Sequence, residues 1–117
     1  MLPGSGFDRR YLDELLDGDA EYAGELFETY FQSADSAYID AENRLSQGDS
    51  ENAFRPFHTL KGASGSVGLS KLQEFARTLE LKAKSGELVY CREQMPALRL
   101  AIDEAKDLLR DYLKAIS

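Results

Sequence analysis

Apolar residues recur at intervals of three and four along nearly the whole 117-residue chain. That spacing lines one face of an α-helix, and no stretch alternates convincingly as a half-buried strand would. The longest case is Tyr22, Leu26, Tyr30, Ala34, Ala37, Ala41 and Leu45, at steps of 4, 4, 4, 3, 4 and 4. It predicts an amphipathic helix over about residues 20–47, capped by Asp19 and stopped by Gly48, where a helix end favours positive φ. A short helix over 8–16 is expected before it, with Asp8 as cap, Gly18 as stop, and Tyr11, Leu12, Leu15 and Leu16 turned inward. A third helix should start near Asp49 or Ser50 and end between Gly65 and Gly68, on a core stripe of Ala53, Phe57, Leu60, Ser64 and Val67. Pro56 falls inside that pattern and should kink the helix or delay its regular start. A fourth helix is expected over 70–84, with Leu69, Leu72, Ala76, Leu79 and Ala83 inward and Ser85-Gly86 at its end. The last, 88–116, contains Pro96, where a break or kink is expected, and continues its stripe through Leu98, Ile102, Ala105, Leu109, Tyr112 and Ile116.

Four long amphipathic segments with short connections predict an all-α fold, an antiparallel four-helix bundle with the short first helix laid on one end. Residues 1–7 are expected to form a flexible lead-in and 8–117 a single domain. A chain of this length can bury roughly two-thirds of its unfolded surface, enough for one core without staples. Hydrophobic residues at 43% and charged residues at 30% fit a folded chain rather than a disordered one.

Charge and residue counts exclude several functions. Fourteen basic residues stand against 21 acidic ones, a net charge of −7. Nucleic-acid binding needs clustered Lys and Arg, and an anionic membrane surface needs the same, so neither partner is expected. One cysteine, Cys91, cannot form an internal disulfide, which favours a reducing, cytoplasmic compartment. One His and one Cys are too few for a usual structural zinc site, so no metal is expected. No apolar run approaches the roughly 20 residues that span a bilayer. The first six residues show neither the basic nor the apolar region of a signal peptide.

The only histidine, His58, falls about 140° from the core stripe of the third helix, on the solvent side. Glu51, Arg55, Gly62 and Gly65 share its face, and Lys61 lies on the shoulder one turn on. A glycine in a helix interior costs about 1 kcal/mol against alanine. Gly62 and Gly65 therefore have two readings: bare backbone for close approach of a partner, or a fraying helix end. Folding the fourth helix back about Val67 brings Glu80 near the level of His58, roughly 14 Å of helix on one side of the turn and 20 Å on the other. Gln73, Arg77, Glu80 and Lys84 form a polar stripe there. One account is a solvated face with Glu80 and Lys84 as an i,i+4 pair. The other is a hydrogen bond from one imidazole nitrogen to Glu80, which would orient the ring and leave the second nitrogen free to attack. Imidazoles ordinarily titrate near neutrality and can carry a phosphoryl group, whose charge of about −2 Lys61 and Lys84 could offset.

The stretch His58-Thr59-Leu60-Lys61-Gly62-Ala63-Ser64-Gly65-Ser66-Val67-Gly68-Leu69, then Leu72 and Leu79-Glu80, resembles the histidine-containing phosphotransfer (HPt) domain family. That family reads roughly H-x-L-K-G-x-(S/A)-x-x-x-G, then a leucine, then L-E. The close match covers about 23 residues, and the helix layout fits nearly the whole chain. The resemblance implies a four-helix bundle that carries phosphate between receiver-domain aspartates, or from a hybrid sensor kinase to a response regulator. It implies His58 as the phosphoacceptor, through Nε2, and Glu80 as the residue orienting the ring. Lys61 and Gly62 match the flanking pair, and Lys84 falls where a basic residue is often found. Pro56 departs from the pattern and leaves the start of the third helix open.

No Gly-rich phosphate loop followed by Lys-Ser or Lys-Thr is present, so the chain is expected to be a carrier rather than an enzyme. No cofactor is expected in it; the receiver would bring the acidic pocket and its Mg²⁺. The expected docking surface is the His58 face, with Arg55, Gly62 and Gly65, together with Leu12 and Leu15 of the first helix. Two other functions compete: an adaptor bundle that binds receivers without chemistry, and the phosphoacceptor domain of a chemotaxis-type kinase. The short lead-in and the end at Ser117 favour a free-standing chain, and its aromatics are expected to fill a monomer's core. A hydrolase lacks support, because no nucleophile–base pair stands out.

Overall fold

The computed structural model describes residues 6–117. Among them are five helices and no strand: α1 (Arg9–Leu16), α2 (Ala20–Ser46), α3 (Arg55–Ser66), α4 (Ser70–Lys84) and α5 (Leu88–Ile116). Two of the expected caps form. The Asp8 carboxylate accepts the Tyr11 N–H and the Asp19 carboxylate accepts the Tyr22 N–H, each at 3.0 Å, satisfying first-turn donors that have no partner inside the helix. Gly48 lies just beyond α2 at φ 67°, as its position predicts.

Helices α2 to α5 pack as a ring of neighbours, α2 on α3, α3 on α4, α4 on α5 and α5 back on α2. Side-chain partners fix the direction of that last pair. From one end to the other, Leu45 meets Arg92, Tyr38 meets Met95 and Phe27 meets Tyr112, so the two helices run antiparallel. Midway, the Lys106 ammonium is largely buried and sits 2.7 and 2.8 Å from the two oxygens of Asp35, which offsets its desolvation. The stripes of α3, α4 and α5 read from sequence enclose the core, with Phe57, Leu60, Leu79, Leu98, Ile102 and Leu109 at most 1% exposed. Each such side chain contributes roughly 1.5–3 kcal/mol by leaving water.

The structure revises several expectations. In α2 the buried face begins with Ala23 and Phe27, while Tyr22 is exposed and Leu26 only half-buried. Both pairs keep a four-residue step, and the packing partners Phe27 finds in α5 decide between them. Regular α3 begins only at Arg55. Residues 50–54 form turns, with the Ala53 N–H bonded to the Asp49 carbonyl at 2.9 Å. Pro56 explains the delay: it sits in the first turn, where its missing N–H leaves no helical bond unmade. In α5 the helix continues through Pro96, which lies on the exposed side, so the expected break does not occur.

Helix α1 lies against the end of the bundle. The Asp8 N–H donates to the Gly68 carbonyl at 2.7 Å, and the Tyr11 hydroxyl donates to the Ser66 carbonyl at 3.1 Å. Gly68 has φ 75°, and a Cβ there would stand only 3.0 Å from the Asp8 carbonyl oxygen, so this junction requires glycine. Leu12 and Leu16 are buried, but Tyr11 and Leu15 are exposed, because an eight-residue helix on a bundle end buries one narrow stripe. Two residues of the expected lead-in, Gly6 and Phe7, are held against the bundle. Gly6 is buried and Phe7 packs edge-on against Tyr112, centroids 6.0 Å apart; residues 1–5 lie outside the described residues.

Candidate functional site

Pro56 places His58 early in α3. Its backbone N–H donates to the Phe54 carbonyl at 3.0 Å, the first regular bond of the helix. Burial of Phe57 and Leu60 on one side turns His58 to the other, and its side chain is 64% exposed. Across the α3–α4 pair stands Glu80. It follows Leu79, which is fully buried, and its own side chain is only 3% exposed.

The two meet closely. His58 Nδ1 lies 2.7 Å from Glu80 Oε2, Lys61 Nζ donates to Glu80 Oε1 at 2.7 Å, and Lys84 Nζ stands 3.4 Å from Oε2. Burial acts to raise the Glu80 pKa, but the hydrogen bonds from Lys61, His58 and Lys84 and the Lys61 charge outweigh it. The carboxyl is held below its ordinary value of 4.5 and is ionised at neutral pH. An ionised carboxylate only accepts hydrogen bonds, so the contact assigns the proton to Nδ1. In the neutral ring, Nε2 then carries the lone pair on an exposed edge. Glu80 is thus no member of a solvated stripe; it is the buried centre of a four-residue network.

Lys61, Glu80 and Lys84 therefore gather at His58 as expected. Arg55 is exposed on the same flank, with its Nε 2.9 Å from Asn52 Oδ1. Gly62 is exposed with open space around it, whereas Gly65 packs on α4, where a Cβ would overlap the Gln73 side chain. The end of the Gln73 side chain thus lies against Gly65. Leu12 has no exposed surface and cannot touch a partner directly, which leaves Leu15, at 41% exposure, as the accessible leucine of α1.

Phe54 was not singled out in the sequence. It is half-buried, with Lys84 Nζ and Arg55 Cζ each 5.1 Å from its ring centre. Its signal was available: a large apolar residue one helical turn before His58 and off the stripe of Ala53 and Phe57.

Gly62 separates its two readings by experiment. Gly62→Ala should stabilise the fold by about 0.5–1 kcal/mol, since the site is helical and open. Urea denaturation measures that gain. If bare backbone serves a docking partner, phosphoryl transfer slows in the same variant; a stabler protein with unchanged transfer rules that role out.

Among the described residues, no group of three or more His, Cys, Asp or Glu side chains could hold a metal ion, and no helix is long and apolar enough to cross a membrane. A buried carboxylate fixing an exposed histidine on a helical bundle describes a histidine phosphotransfer module. A family model for the Hpt domain matches residues 25–108, and the chain belongs to that family. Hpt domains carry phosphoryl groups and interact with receiver domains in phosphorelays; they are not themselves catalysts. The chain is also similar to the phosphorelay intermediate protein rdeA of Dictyostelium discoideum, with 25% identity over 112 residues. That alignment covers 96% of this chain and 44% of the relative, so the chain spans less than half of that protein's length. No solved structure matches the chain significantly.

Proposed function

We propose that the chain is a phosphorelay carrier in which His58 accepts a phosphoryl group from a receiver-domain aspartyl phosphate, or from a hybrid sensor kinase, and passes it to a response regulator. The observation that carries this reading is the 2.7 Å contact of Nδ1 with a buried Glu80 beneath an imidazole that is 64% exposed. In the forward step the Nε2 lone pair forms the N–P bond as the aspartyl P–O bond breaks, and the aspartate leaves as a carboxylate. The ring becomes cationic, and its proton remains on Nδ1 against the Glu80 carboxylate. In the return step a carboxylate oxygen of the accepting receiver aspartate forms the new P–O bond as the N–P bond breaks, and a neutral ring leaves. Lys61 and Lys84 place positive charge beside the incoming phosphoryl group, whose charge is about −2.

The proposal includes the absences expected from sequence: no cofactor in this chain, Mg²⁺ supplied by the receiver, and no ATP site of its own. It also includes a cytoplasmic, monomeric protein that binds neither nucleic acid nor membrane. The test is to incubate the chain with phosphorylated receivers, or with ATP and hybrid kinases from its source, and follow its intact mass. An acid-labile gain of one phosphoryl group is expected. Receiver binding without any gain across the donor set would instead identify an adaptor.

A further inference from the structure

We propose that Phe54 is a positioning residue for phosphoryl transfer, its ring stationing the cations of Arg55 and Lys84 on the flank of His58. The inference rests on the carrier reading above. Glu80 has one negative charge, and Lys61 meets it at 2.7 Å. Lys84 is a second ammonium on the same carboxylate, at 3.4 Å, sharing Oε2 with His58. Arg55 Nε donates to the neutral amide oxygen of Asn52, and among the described residues Arg55 pairs with no carboxylate. Lys84 and Arg55 are thus positive charge beyond what Glu80 neutralises, in a chain whose net charge is −7.

Both cations lie over one ring, at 5.1 Å each. The face of an aromatic ring is electronegative and attracts them. The Phe54 carbonyl accepts the His58 N–H at 3.0 Å, which fixes the Phe54 backbone one helical turn before the phosphoacceptor, and the side chain packs against the core. Without the ring, each of these two long, exposed side chains would have one polar contact, Glu80 for Lys84 and Asn52 for Arg55, to restrict its rotamers. With it, their charge stays beside the imidazole that gains a phosphoryl group.

A receiver aspartate and His58 exchange one phosphoryl group, and the share held by the carrier rises with the positive charge beside it. Phe54 also packs on the edge of the core, and filling that space is the competing role. The two roles separate by substitution, because leucine fills space without an aromatic face and tyrosine keeps that face.

The experiment is the equilibrium partition of phosphoryl label between the chain and a phosphorylated receiver. Wild type, Phe54→Leu, Phe54→Tyr, Arg55→Met/Lys84→Met and the triple variant with Phe54→Leu are compared. Phe54→Leu is expected to lower the carrier's share about three- to tenfold, less so at high salt, while Phe54→Tyr retains it. In the Arg55→Met/Lys84→Met background, Phe54→Leu should have no further effect. An unchanged share in Phe54→Leu, or the same loss in both backgrounds, overturns the proposal. So does a folded Phe54→Tyr variant whose share falls about three- to tenfold, even where Phe54→Leu fails to fold. A wild-type chain that takes no phosphoryl group defeats the carrier reading itself, a different outcome from any of these.

Discussion

Replacement of His58 by glutamine is expected to abolish phosphoryl uptake while leaving the fold intact. The imidazole is 64% exposed, and among the described residues its polar side-chain partner is Glu80. A glutamine amide has N–H groups that can still donate to that carboxylate, so the buried charge keeps a partner. With that partner kept, the stability change should stay within about 1 kcal/mol. What disappears is the ring nitrogen, and an amide nitrogen has no lone pair available to attack phosphorus. Thermal unfolding and intact mass are measured on the same preparation. A phosphorylated His58→Gln chain would place the acceptor elsewhere and remove the basis of the mechanism.

Glu80 should show the next largest effect, divided between geometry and charge. Glu80→Gln keeps an oxygen that can accept from Nδ1 but loses the charge that stabilises the cationic ring; about a tenfold slower transfer is expected. Glu80→Ala also frees the ring to rotate and leaves Lys61 without its 2.7 Å partner, so the loss should reach about a hundredfold. Single-turnover transfer to a receiver measures both. Equal rates in wild type and the alanine variant would mean that the ring needs no orientation.

The same carboxyl makes a prediction about pH. Its folded pKa lies below the ordinary 4.5, so its network contributes stability fully above about pH 4.5. That contribution is lost as pH falls through the lower folded value. Glu80→Gln has no carboxyl to protonate, so the stability advantage of wild type over this variant should shrink on acidification below pH 4.5. Urea denaturation of the pair between pH 7 and 3 follows it. A constant difference would show that the depressed pKa has no part in stability.

Much of the fold was legible because its causes are local. The Asp8 and Asp19 caps, the α4 span and the core positions of α3, α4 and α5 follow from residues within a few turns of one another. Pro56 signalled an irregular helix start, although not whether it would kink the helix or postpone it. Where several apolar residues competed for one face, periodicity was insufficient. Tyr22 and Ala23, or Leu26 and Phe27, differ by a rotation of about 100°, and only the position of α5 selects between them.

The sequence by itself determined most of the helices and of the core, because apolar spacing is written along the chain, and its resemblance to the HPt family singled out His58 for the proposed reaction. The tertiary structure decided how that histidine is held. His58 and Glu80 are 22 positions apart, and the crossing of α3 on α4 brings them to 2.7 Å. The same crossing buries Glu80, gathers Lys61 and Lys84 onto it, and brings Lys84 over the Phe54 ring. Burial and charge pairing depend on what lies across the helix interface, and that is a property of packing rather than of local pattern.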